Sequence, residues 1–212
     1  MDDPQAWPVL EALVGVKAAL ASRRRAVLQA EPGAGKTTIL PVRLLDEPWL
    51  AGRRILVVVP RRLAARAAAG RVAELCGESP GGLVGYRVRG DARCGPGTRL
   101  VYLTEGMYLQ LLRRDPALEE AGLVVFDEFH ERSLQSDLGL ALTLQTAALI
   151  RPELRILLMS ATLDGEAAAR LVDGDFLSCP GRQHPVQVRH LGREPRQEVV
   201  AALHLALKKI LA

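Results

Sequence analysis

The apolar run Ala26–Gln29 leads directly into Glu31-Pro32-Gly33-Ala34-Gly35-Lys36-Thr37-Thr38, and few folds accommodate that transition. The two glycines let successive backbone N–H groups point at one place with no Cβ in the way. The lysine can reach outer phosphate oxygens, and the hydroxyl after it can ligate a divalent cation. Such a loop needs a buried strand before it and a helix after it, and the apolar spacing over 36–45 predicts that helix, whose N-terminal dipole favours anions. Residues Glu31 to Thr38 are therefore candidates for holding nucleotide phosphates, with Lys36 as the cation and Thr37 as the metal-binding hydroxyl. In the usual spacing, G-x-x-x-x-G-K-[ST], the first position here is Ala30. That residue is small and ends the strand, so the loop is expected to tolerate it.

Four more short apolar runs follow, Ile55–Val59, Leu100–Leu103, Leu123–Phe126 and Ile156–Met159. Each reads as a strand covered on both sides. Between them lie helix candidates over Leu63–Leu75, Met107–Arg113 and Leu134–Leu149. This alternation predicts an α/β fold, a mostly parallel sheet with helices on both faces. The Gly- and Arg-rich stretch 80–98 reads as a loop or short hairpin inside the domain. Further on come a strand-like run at 185–191 and a helix over about 195–211, whose apolar stripe is Val199, Leu203, Leu207 and Ile210.

Two further elements sit at strand ends. Asp127 and Glu128 follow Leu123–Phe126, where one carboxylate can hold Mg²⁺ and its neighbour can position and deprotonate water. Asp127 is assigned to the metal, through water, and Glu128 to the base. Ser160-Ala161-Thr162 ends the run Ile156–Met159; by itself the tripeptide is equally well a turn or a helix cap, and only its position gives it meaning.

Composition narrows the class. With 212 residues, 49% of them apolar and 25% charged, the chain suits one sizeable domain. No apolar run approaches the roughly 18 residues of a membrane helix, and Met1 to Pro4 do not open a secretory leader. Cys76, Cys94 and Cys179 show no C-x-x-C spacing, which argues against a zinc site or a disulfide framework and for a reducing, cytoplasmic setting. The net charge of +4 permits a polyanionic partner without requiring one.

Taken in order, the phosphate loop, Pro60-Arg61-Arg62-Leu63-Ala64-Ala65-Arg66, Thr104-Glu105-Gly106, Asp127-Glu128-Phe129-His130-Glu131-Arg132 and Ser160-Ala161-Thr162 resemble the first RecA-like motor domain of superfamily-2 helicases, DEAH-box branch. Phe129 in place of the usual Ala, with the Ala30 loop, looks most like the bacterial HrpB-type helicases. The resemblance runs from about Pro8 to Leu211. It implies an ATP-dependent helicase using ATP and Mg²⁺, with single-stranded nucleic acid, RNA rather than DNA, as its partner. Arg61, Arg62 and Thr104 would contact the strand's sugar-phosphate backbone. His130 would link the nucleotide to a second motor domain, and Ser160 and Thr162 would couple hydrolysis to strand movement. Residues 1–180 would form the ATP-binding domain and 181–212 a linker and the start of a second motor domain. No Q-x-x-G-R-x-G-R-like element follows Thr162, so a monomer truncated before that domain is expected, one that binds Mg-ATP, hydrolyses it slowly and does not unwind.

Two other readings stand beside this one. A non-motor nucleotide- or RNA-binding module that has lost turnover is disfavoured by the intact Lys36, Thr37, Asp127 and Glu128. An unrelated phosphate-loop kinase or GTPase is disfavoured by the absence of N-K-x-D.

Overall fold

Strand residues alternate between two cores, and that alternation organises the domain. A computed structural model describes residues 7–162 and 164–179, together with 200, 201, 203, 204, 207 and 208. Contacts divide the chain into two units, 1–182 and 183–212. In the second, residues 200, 201, 203, 204, 207 and 208 are helical. The expected strand at 185–191 and the rest of the helix over 195–211 lie outside the described residues.

The first unit runs α1 (Val9–Ser22), β1 (Arg25–Ala30), α2 (Ile39–Arg43), β2 (Arg54–Val59), α3 (Arg62–Leu75), β3 (Val84–Val88), β4 (Asp91–Arg93), β5 (Leu100–Thr104), α4 (Glu105–Arg114), β6 (Ala121–Phe126), α5 (Leu134–Leu149), β7 (Arg155–Ser160), α6 (Gly165–Val172) and β8 (Asp175–Cys179). The strands form one sheet in the order β4-β3-β5-β2-β6-β7-β1-β8. Every pairing is parallel except the β3–β4 hairpin.

Successive side chains on a strand point to opposite faces. Ile55, Val57 and Val59 of β2, with Leu123 and Val125 of β6, enter the core under α1, α2 and α3. Leu56, Val58, Val124 and Phe126 enter the other, under α4, α5 and α6. The expected mostly parallel sheet with helices on both faces is what forms.

The five strands predicted between residues 26 and 159, and three of the four helices predicted between residues 36 and 149, hold to within a residue or two at each end. The stretch 80–98 is a hairpin, and β3 also joins β5 in the main sheet. Three elements went unpredicted: α1, α6 and β8. α6 is short but well marked, since the Asp164 side chain accepts from Ala167 N–H as an N-cap. β8 is an edge strand, and its polar Asp175 and Ser178 break the apolar run that marks the central strands.

Candidate nucleotide site and the adjoining groove

In an open parallel sheet, ligands bind beyond the carboxyl ends of the strands. Here β7 lies between β1 and β6, so the phosphate loop, the Asp127–Glu128 pair and Ser160 emerge side by side at that edge.

The loop depends on two left-handed glycines, Gly33 (φ 83°) and Gly35 (φ 90°). A Cβ on Gly35 would also meet the Trp7 ring at 3.1 Å and Ile39 at 3.2 Å. The amide of Val9 donates to the Ala34 carbonyl at 3.0 Å, so the start of α1 braces the loop from behind. Sequence reading missed this contact, because nothing in Trp7-Pro8-Val9 marks a phosphate-loop neighbour. Ala30 is the last residue of β1, extended and buried; its Cβ faces the core and leaves the loop unobstructed.

The helix expected over 36–45 is shorter: residues 36–38 are turns and α2 spans only Ile39–Arg43. Pro41 is the physical reason. With no N–H, it cannot donate to the Thr37 carbonyl four residues back. That carbonyl instead accepts from the Tyr102 hydroxyl at 2.7 Å. Burial raises the Tyr102 phenol well above its ordinary pKa and keeps it a donor. A five-residue helix adds little dipole, so the loop's own amides and Lys36 must supply most of the attraction for phosphate.

Across the cleft, Thr37 Oγ1 donates to Asp127 Oδ2 at 2.5 Å. Lys36 Nζ, 5% exposed, pairs with Glu128 Oε1 at 3.0 Å. Glu128 adopts left-handed backbone (φ 52°, ψ 37°), a conformation costly for a residue with a Cβ and characteristic of functional sites. It places the carboxylate beside Lys36 and near His130, whose Nδ1 lies 3.4 Å from Glu128 Oε2 and 3.2 Å from Ser160 Oγ. The Thr162 amide donates to that same Oγ at 3.3 Å. Burial pushes the Asp127 carboxyl up to about 6; the Thr37 hydrogen bond opposes this, Glu128 adds to it, and Lys36 and the Glu128 amide oppose it. Phe129 explains its own departure from the common motif. Its ring is buried and meets Phe126 edge-on (centroids 6.4 Å apart), while Arg132 covers it at 5.4 Å. Burying that ring contributes about 2 kcal/mol and anchors the turn that carries His130.

Thr37 and Asp127 could hold a magnesium ion. Among the described residues no cluster of three or more His, Cys, Asp or Glu offers a metal cage. Magnesium prefers one or two protein ligands, with waters and substrate phosphates completing its octahedron; a hydroxyl and a buried carboxylate in contact fit that demand.

Beside this site, a groove of about 470 Å³ is lined by Pro60, Arg62, Arg89, Thr104 and residues of α4 and α5, among them Gln110 and Gln135. Arg62 and Thr104, expected to act together, share it. Arg61 is not among its lining residues; it is mostly exposed and faces Glu131 at 3.4 Å. Arg89, in the β3–β4 turn, is a lining residue the sequence reading passed over. The only signal available was an arginine before a turn glycine, at Val88-Arg89-Gly90.

The chain matches the DEAD/DEAH box helicase family over residues 14–171. It is 43% identical over 205 residues to the ATP-dependent RNA helicase HrpB of Escherichia coli (strain K12), covering 96% of this chain and 25% of that protein. It is 36% identical to human ATP-dependent RNA helicase DHX29, covering 90% of this chain and 15% of that protein. The crystal structure of E. coli DEAH/RHA helicase HrpB superposes with a TM-score of 0.86 over 97% of this chain and 26% of that one. The chain thus spans about a quarter or less of the length of these relatives, and within that span it belongs to the DEAD/DEAH box helicase family.

Proposed function

We propose that this chain is the ATP-binding and hydrolysing motor domain of a DEAH-box RNA helicase, with residues 1–180 as that domain and 181–212 leading toward a second motor domain. The observation that carries it is the paired contact across the cleft, Thr37 on Asp127 and Lys36 on Glu128, from loops at the ends of β1 and β6.

The chemistry follows from exchanging those partners. Incoming phosphates compete for Lys36, whose ammonium leaves Glu128 and takes the outer oxygens. The backbone amides of Glu31 to Thr38 cradle the inner phosphates. Thr37 and Asp127 would hold Mg²⁺, Asp127 through water, and the ion would supply neutralisation of charge on the transferring phosphoryl group. Glu128, released from Lys36, orients water and accepts its proton. His130, between Glu128 and Ser160, relays the state of the site toward the second motor domain, with Thr162 joined to the same hydroxyl. Arg61, Arg62 and Thr104 contact the backbone of a single strand, and the groove adds Arg89. On this reading the chain works as a cytoplasmic monomer.

Equilibrium nucleotide binding and single-turnover phosphate release by the 212-residue chain test this reading. Mg-dependent ATP binding with slow hydrolysis is expected, because arginines from a partner domain supply on the order of 10³–10⁵ in rate in this chemistry. Absence of nucleotide binding would sink the proposal, and robust strand separation by this chain alone would sink the expectation of weak activity. For the groove, Arg62→Ala and Arg89→Ala are each expected to weaken single-stranded RNA of any sequence. Each should also flatten the log–log salt dependence by about 0.7, one phosphate contact's share for single strands. An unchanged slope for both would place the strand elsewhere.

A further inference from the structure

Tyr102 is a buried polar side chain that the mechanism above leaves without a task. It lies on β5 with no exposed surface, and its hydroxyl reaches the Thr37 carbonyl at 2.7 Å. That carbonyl lacks a helix donor because residue 41 is proline. Thr37 is therefore held twice, at its backbone oxygen by Tyr102 and at Oγ1 by Asp127. When the hydroxyl turns a lone pair to a cation, Asp127 gives up this hydrogen bond, and the Tyr102 contact is the restraint that remains on the residue.

The same strand also reaches the groove. Two residues beyond Tyr102, Thr104 lines it and precedes the first turn of α4. β5 is paired along its length, Tyr102 with Val57 and Thr104 with Val59, so the two positions belong to one rigid element.

Resting on the motor reading above, we propose that Tyr102 is a positioning residue. Its hydroxyl fixes the Thr37 backbone for metal exchange, and through β5 it makes Mg²⁺ affinity at Thr37 depend on whether a strand occupies the groove at Thr104. The Tyr102 ring fills the core and only its oxygen carries this role, so the conservative variant isolates it.

The test titrates Mg²⁺ against binding of a fluorescent ADP analogue to the 212-residue chain, with and without a single-stranded RNA oligonucleotide. Unfolding midpoints are recorded without nucleotide. In the parent chain RNA is expected to lower the Mg²⁺ half-saturation. Tyr102→Phe should raise that half-saturation by about tenfold, remove the RNA effect, and leave metal-free nucleotide affinity within about twofold. Adding Pro41→Ala gives residue 41 an N–H for the orphaned carbonyl and should recover most of the tenfold loss, without restoring the response to RNA. That rescue is a result a merely structural tyrosine would not give. A lower unfolding midpoint with unchanged Mg²⁺ half-saturation would overturn the proposal, as would a tenfold loss that Pro41→Ala does not rescue. If Tyr102→Phe fails to fold, Pro41→Ala alone decides: the second donor should blunt the RNA effect, and an undiminished effect overturns the coupling. Mg-dependent binding that is lost in Thr37→Ala but untouched in Tyr102→Phe sinks this inference alone. A parent chain with no Mg-dependent binding sinks the motor reading and the inference with it.

Discussion

Glu128→Gln is expected to lower single-turnover phosphate release by roughly 10²–10⁴, the usual worth of a positioned general base, while tightening nucleotide binding. Both effects come from one contact. Glutamine cannot take a proton from water, so the chemical step suffers. It also cannot form the ion pair that holds Lys36 at 3.0 Å, so the ammonium no longer has a carboxylate to leave when phosphates arrive. The left-handed backbone at residue 128 strains both residues equally, and the variant should fold as the parent does. Turnover and affinity falling together would mean that Glu128 holds the site together rather than acting on water.

Asp127→Asn is expected to abolish Mg-dependent nucleotide binding and, in the nucleotide-free chain, to raise stability at neutral pH. The carboxyl is buried and its pKa is pushed from 3.8 up to about 6. A raised carboxyl pKa means that the folded chain binds this proton more tightly than the unfolded one. Ionisation therefore costs the fold nothing near pH 3.8, costs progressively more between 3.8 and about 6, and reaches its full penalty above that. By linkage the penalty is up to about 3 kcal/mol at pH 7.5, at 1.36 kcal/mol per unit. Asparagine avoids it and can still accept from Thr37. Denaturant unfolding should show the variant ahead of the parent at pH 7.5, with the gap closing as pH falls toward 4. A variant less stable than the parent at pH 7.5 would mean that the Thr37 and Glu128 amide contacts outweigh the burial of charge.

What the sequence made legible was whatever short-range chemistry decides. Central strands are apolar on both faces, so β2, β5, β6 and β7 announced themselves, and small residues with Lys and Thr announced the phosphate loop. The hidden parts are settled by distant contacts. α1 matters to the site through Val9, whose amide donates to Ala34 and whose side chain lies against Gly35. The shortening of α2 could have been read from Pro41, whose missing N–H is visible in the sequence; the tyrosine that compensates for it, 65 positions away, could not. Arg61 and Arg62 are adjacent in the chain and look equivalent. The start of α3 sends one toward Glu131 and leaves the other in the groove.

The place of β1 in the sheet fixes when the site can come into being during synthesis. Its two neighbours are β7 and β8, the last strands of the domain, whereas β2, β3, β5 and β6 pair among themselves. On the ribosome, the strand bearing the phosphate loop is made first among the strands and finds its partners last. Early assembly belongs to the half of the sheet that carries the groove. On the function proposed above, the nascent chain completes its strand groove before its nucleotide site, and nucleotide can act as a folding ligand only once nearly all of residues 7–179 have emerged.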